Sequence, residues 1–222
     1  MAFAGMGPPV TVRQLFALMS TPVLLFVIGV APVGMIADRR SKSLSLYLAS
    51  PLTRETYLAA QAAAIFVAVC LVSVGPPLLY LAGNAVIARV GFGDALHVLR
   101  LAGKIVLSGA LLAASYATLT LAVASFAKRA AAASLALFCL AGILTNVLAA
   151  AVTEGVSPYF LLIDPSGLAA ELVNRVFGPD RYLPRADYYG VAGYVVALAA
   201  IAWTLLALGA AWFRYHRLVV SR

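Results

Sequence analysis

Side chains able to run a reaction are scarce in these 222 residues, and the few present lie apart. The two histidines, His97 and His216, flank different apolar stretches, so there is no H-E-x-x-H and no multi-histidine metal set. Cys70 and Cys139 sit inside such stretches as isolated thiols and read as apolar filler. No G-x-x-x-x-G-K-[ST] occurs, which leaves no P-loop to cradle the phosphates of ATP. What remains is hydroxyls and amides: Ser108, Ser115, Tyr116, Thr118 and Thr120 in one apolar run, Asn146 in the next. Ser115, Tyr116, Thr118 and Asn146 could line a solute pathway; the competing reading is that they satisfy local carbonyls or bridge helices. No catalytic, cofactor-binding or metal-ligating residue is expected, and the chain does not read as an enzyme.

The elements that hold these side chains follow from composition. Apolar residues make up 64% and charged ones 11%, against about 45–50% and about 25% in a soluble domain. Too little polar material exists to clothe a water-soluble surface. Residues 14–37, 56–88, 105–127, 130–153 and 188–213 contain no Asp, Glu, Lys or Arg. About 20 residues cross the hydrocarbon as a helix, and the runs lack the alternation of barrel strands. The chain is therefore expected to be an all-α, polytopic helical membrane protein forming a single domain over residues 1–222. Its five transmembrane helices are placed at about 14–37, 57–82, 101–127, 130–153 and 188–213.

Proline predicts irregularity. Gly75-Pro76-Pro77 should kink or end the second helix, with a short interfacial piece towards Arg89, and Pro22 and Pro32 should bend the first. Small residues four apart, such as Gly109 with Ala113 and Ala207 with Ala211, favour close helix approach. No span carries a central charge, which speaks against an ion-coupled carrier. The loop 154–187 is too short for a domain of its own. Within it Asp164-Pro165-Ser166 reads as a helix start, and 168–177 as a short amphipathic helix closed by Gly178-Pro179. A structural lid is the expected role.

Basic residues orient the chain. The segments 38–55, 128–129 and 214–222 hold nine Lys and Arg in 29 residues; the N-terminus, 89–104 and 154–187 hold seven in 63. By the positive-inside rule the denser side, with the C-terminus, is cytoplasmic. The net charge of +8 then belongs to lipid head groups, and no nucleic-acid-binding pattern accompanies it.

One cytoplasmic segment stands out. Residues 38–55 open on Asp38-Arg39-Arg40 and turn apolar at Leu44, Tyr47 and Leu48, which share a helical face. They close on Ser50-Pro51-Leu52-Thr53-Arg54, where serine and proline suit a helix start. A short amphipathic helix followed by a turn is predicted, able to lie on lipid or to dock into a partner's groove.

This pattern resembles the intracellular segment of the type-2 ABC exporter permeases, where an acidic-Arg pair, a small-Leu pair and a P-[LV]-[ST]-R turn precede a long span. The Ser125-Phe126-Ala127-Lys128-Arg129 step into Ala130–Ala133 is similar to that family's tight connection between two later spans. The resemblance implies a coupling helix contacting a separate ABC ATPase, through Asp38, Arg39, Arg40, Leu44, Tyr47, Leu48, Pro51 and Arg54. It implies a second permease chain, identical or homologous, with ATP and Mg bound by the ATPase and no cofactor on this chain. It also implies a prokaryotic inner membrane, and it places the loop 154–187 as a cap over the exit. Such permeases have six spans, so five predicts either a truncated reading frame or a five-span variant. The rival reading is a non-transporting membrane anchor or assembly subunit that recruits a cytosolic partner through the same segment.

Overall fold

The computed structural model describes residues 12–30, 32–33, 36, 54–87, 95–178 and 191–217. Among these, every regular element is helical. In chain order they are α1 (Val12–Gly29), α2 (Arg54–Ile87), α3 (Ala95–Phe126) and α4 (Ala130–Phe138). A π-turn at Cys139–Ile143 leads into α5 (Leu144–Thr153), a 3₁₀ helix at Pro158–Ile163 into α6 (Pro165–Phe177), and the last is α7 (Gly193–Arg217). Four stretches are long and apolar enough to cross a membrane: Glu55–Ile87, Ala95–Phe126, Ala130–Thr153 and Gly193–Arg214. The protein is an integral membrane protein, and α1 is a further apolar helix of 18 residues.

α3 is the axis of the molecule. Of its most apolar stretch 56% is buried, against 11–22% for the other three crossing helices. Ile105, Leu112, Tyr116 and Leu119 recur on one face, and Leu121 is buried on the opposite side, so α3 is packed all round there. Its largest interface is with α2, followed by α7 and α6. The other helices turn Leu71, Leu79, Leu135, Leu198 and Leu205 outward, the surface a bilayer or another chain would cover.

Two features depart from expectation. α2 runs unbroken through Gly75-Pro76-Pro77 to Ile87 instead of ending near Ala82. Packing explains this: Pro77 is fully buried, and Ser73, one turn before it, donates through its hydroxyl to Gly109 O and Cys70 O at 3.4 Å each. A helix held along its length against α3 tolerates two missing donors that would end an isolated one. α3 begins at Ala95, ahead of the charge-free run, and carries Arg100 and Lys104 in its first turns.

The end of α1 shows a proline accommodated by another helix. Ile28 O would accept from the amide of residue 32, but Pro32 has none. Ser134 of α4 donates its hydroxyl to that carbonyl at 2.6 Å. Ser134→Ala should therefore lower thermal stability in detergent by about 1 kcal/mol, while Ser134→Thr, which keeps the hydroxyl, should lose less. Equal melting of wild type and Ser134→Ala would show that the carbonyl finds another donor.

Candidate functional site

The chemistry collects where the chain between α5 and α7 folds back into the bundle. Gly155, at φ +96°, turns the chain out of α5, a left-handed conformation that favours glycine. The 3₁₀ helix follows, and its carbonyl at Leu162 accepts from Trp203 Nε1 at 2.8 Å. Trp203 lies ten residues into α7, about 15 Å from its start at 1.5 Å per residue. Ser166 Oγ meets Thr145 Oγ1 at 2.8 Å. Thr145 is eight residues before the end of α5, about 12 Å in. Two independent bonds thus put the apex of this hairpin deep between the long helices. A lid lying across the helix ends is not what the described residues form.

Asp164 sits at the apex and starts α6. Its Oδ1 accepts from Ser166 N–H at 3.0 Å and from Ser166 Oγ at 2.7 Å, as expected for an N-cap followed by proline at the first helical position. Asp164 is 1% exposed and within electrostatic reach of Tyr116. Seven residues on, hence on the same face, Glu171 is equally buried. Its Oε1 accepts from Arg175 Nε at 2.7 Å, and Arg175 Nη2 also donates to Val191 O at 2.8 Å. Gly178, at φ +86°, closes α6 with its amide on Asn174 O. Ala169 and Val173 bury in the main core, and Leu168 packs with Val191 and Val196.

Two clefts flank the hairpin. One, lined by Thr145, Asp164, Glu171, Leu161, Leu168 and Val196 among others, lies between the arms of the hairpin and α7. The other, beneath Pro165, is lined by Ser115, Thr118, Leu119, Trp203, Thr204 and Ala207 among others. Its two threonine hydroxyls are turned to their own helices: Thr118 donates to Ala114 O at 2.9 Å and Thr204 to Ala200 O at 2.8 Å. Ser115, Tyr116 and Thr118 thus gather near α6. Asn146 does not join them; it is exposed on α5 and donates to Gly142 O at 2.7 Å.

At the opposite end, α2, α3 and α7 meet. His216 Nε2 lies 3.8 Å from Glu55 Oε1, the His216 and Trp212 rings are 4.3 Å apart, and Arg214 stands over Phe126. Of the coupling residues read from sequence, Asp38, Arg39, Arg40, Leu44, Tyr47, Leu48 and Pro51 lie outside the described residues; Arg54 is placed as the first residue of α2.

Sequence reasoning missed Asp164, Glu171, Arg175 and Trp203 as members of one site, because it assigned the acidic pair to a solvated loop. The available signals were the Glu171/Arg175 spacing of four and a tryptophan N–H in mid-span that must find an acceptor. The spans themselves carry no central charge, but the hairpin brings two carboxylates among them. Among the described residues no three His, Cys, Asp or Glu side chains come together to hold a metal.

A family model described as ABC-2 family transporter protein matches residues 11–218. No curated protein matches the chain.

Proposed function

The chain belongs to the ABC-2 transporter family, whose members are membrane permease components of ABC transporters, and we propose that it is the permease half of an ATP-driven exporter. The observation that carries this is the match over residues 11–218, which runs from α1 to the end of α7 and includes the segment between α1 and α2. In this reading α1 and the residues after it make a fifth span beside the four long helices. Two permease chains, identical or homologous, enclose the pathway beneath two separate ATPase subunits, which bind ATP and Mg. The C-terminus and residues 38–55 face the cytoplasm of a prokaryotic cell.

The coupling role falls to residues 38–55. Leu44, Tyr47 and Leu48 would give the docking face, and Arg39, Arg40 and Arg54 would pair with acidic groups on the ATPase. The segment feeds directly into α2, whose Glu55 lies next to His216 of α7. Movement of the ATPases would reach α2 and α7 together and rock the bundle between two packings. The permease catalyses no step; it binds, aligns and moves.

The test is co-expression with a candidate ABC ATPase subunit, followed by purification and ATP hydrolysis in liposomes. A stable complex whose hydrolysis exceeds that of the free ATPase supports the reading; a stable complex with a non-ATPase partner, indifferent to ATP, overturns it. Tyr47→Asp with Leu48→Asp should abolish the stimulation, since two docking anchors at roughly 2 kcal/mol each correspond to several-hundredfold weaker binding. Stimulation unchanged by the pair would refute docking through this face.

A further inference from the structure

We propose that one row of side chains on α3 binds a single anionic phospholipid, its phosphate on Arg100 and Lys104 and an acyl chain along Leu107 and Leu111. The site is independent of the permease reading, which gives these residues no role.

The row is set by spacing. His97, Arg100, Lys104, Leu107 and Leu111 follow one another at alternating steps of three and four, so they stand one above another on the helix. Imidazole and two cations come first and two leucines after, the order of a phospholipid from head to tail. His97, Arg100 and Leu107 are exposed, and Lys104 and Leu111 half-buried. The core residues Ile105, Leu112 and Tyr116 lie about a third of a turn away, so the row runs beside the packed face and is open along its length.

Height along the helix agrees. The charge-free part of α3, Ile105–Phe126, has 22 residues, about 33 Å at 1.5 Å per residue, against about 30 Å of hydrocarbon. Lys104 therefore stands at the hydrocarbon boundary. Arg100 and His97 rise about 6 and about 10 Å above it, through a head-group layer about 5–8 Å deep on each side. Leu107 and Leu111 lie below it, at the level of the chains.

Charge then selects the lipid. Among the described residues the ion pairs are Arg175 with Glu171 and His216 with Glu55, so Arg100 and Lys104 have no carboxylate there. Two cations one helical turn apart can share the oxygens of one phosphate diester. A zwitterionic lipid brings its own ammonium to the same place, and an anionic one does not. The positive-inside rule does not account for this pair. α3 ends at Phe126 under Arg214, near the C-terminus, so its start lies on the other side of the membrane.

The experiment is native mass spectrometry of the full chain in a neutral detergent, titrated with phosphatidylglycerol or with phosphatidylcholine of the same acyl chains. Wild type should hold its first phosphatidylglycerol about tenfold or more tighter than its first phosphatidylcholine. Arg100→Gln with Lys104→Gln should weaken that first phosphatidylglycerol about thirtyfold, the product of two charges near the membrane surface, and leave phosphatidylcholine unchanged. Arg100→Lys with Lys104→Arg, which keeps both charges, should bind as wild type. Lys128→Gln with Arg129→Gln removes the same charge at the other end of α3 and should leave the first binding event unchanged. Should the double glutamine variant not fold, Arg100→Gln alone, at an exposed position, should still lose about fivefold. Equal affinity of wild type for the two lipids, no loss in Arg100→Gln, or a loss at Lys128 and Arg129 as large as that at Arg100 and Lys104 would overturn the proposal. Displacement of the lipid by millimolar inorganic phosphate would overturn it too, because the site would then take a free anion and not a lipid.

Discussion

Replacing Arg175 by alanine should cost about 3 kcal/mol, the lower end of the cost of breaking a buried ion pair by removing one partner, because Glu171 is buried while Arg175 is 28% exposed. Glu171 is 3% exposed and takes the guanidinium at 2.7 Å, so its carboxylate would lose that charge while staying buried in the cleft it shares with Asp164 and Thr145. Val191 O would lose its donor at the same stroke, and with it the tie between α6 and the start of α7. A β-carbon on Gly193 would stand 2.8 Å from Arg175 Nη1, so the guanidinium lies close against the start of α7. With whole-protein stabilities of about 5–15 kcal/mol, Arg175→Ala should melt far below wild type in detergent or fail to accumulate. The decisive comparison is the double variant Glu171→Leu with Arg175→Leu. Exchanging both charges for apolar groups should recover most of the loss, since a buried pair contributes little beyond cancelling its own desolvation. If Arg175→Ala melts with wild type, the pair has no structural role.

Gly109→Val should separate the two helices with the largest shared interface. A β-carbon at Gly109 would overlap Val74 Cγ2 and stand 3.1 Å from Ser73 Oγ. Ser73 cannot retreat far, because it is buried and its Oγ bonds the Gly109 carbonyl, and Val74 must shift its side chain to clear the overlap. Overpacking of this kind costs about 1–3 kcal/mol. The same substitution at Gly83 or Gly103, where a β-carbon meets nothing within 4 Å, should be close to neutral or stabilising, since glycine is a poor helix former. Thermal unfolding of the three variants side by side separates close packing from helix propensity. Equal behaviour would mean that α2 and α3 do not need glycine at their crossing.

These two sites were not equally visible in the amino-acid order. Gly109 was legible, because small residues four apart are a local pattern with a direct packing meaning. The long apolar helices were legible for the same reason: lipid imposes a length and excludes charge. The burial of the hairpin was not, although the start of α6 at Asp164 and its end at Gly178 were. Asp164 and Glu171 look like solvated loop residues until Thr145 and Trp203, from two other helices, hold Ser166 and Leu162 and draw the hairpin inward. Burial of that kind is set by residues distant in the chain, and no local period announces it. The unbroken run of α2 through Pro76-Pro77 has the same origin, since support from α3 overrides a local rule. Conversely, residues 38–53 were read from helical periodicity and motif and lie outside the described residues.

The hairpin also bears on how the protein is made. The four long helices satisfy their own backbone and can each enter the bilayer from the translocon as they emerge. α6 cannot: its 13 residues are too few to cross, and Asp164, Glu171 and Arg175 would not partition into lipid unaccompanied. It must wait until α7 has been synthesised, because Val191 and Trp203 supply its anchoring partners. Docking of the hairpin is therefore a late, post-insertion step of biogenesis. A chain arrested before α7 would leave an open slot in the bundle, a natural mark for membrane quality control.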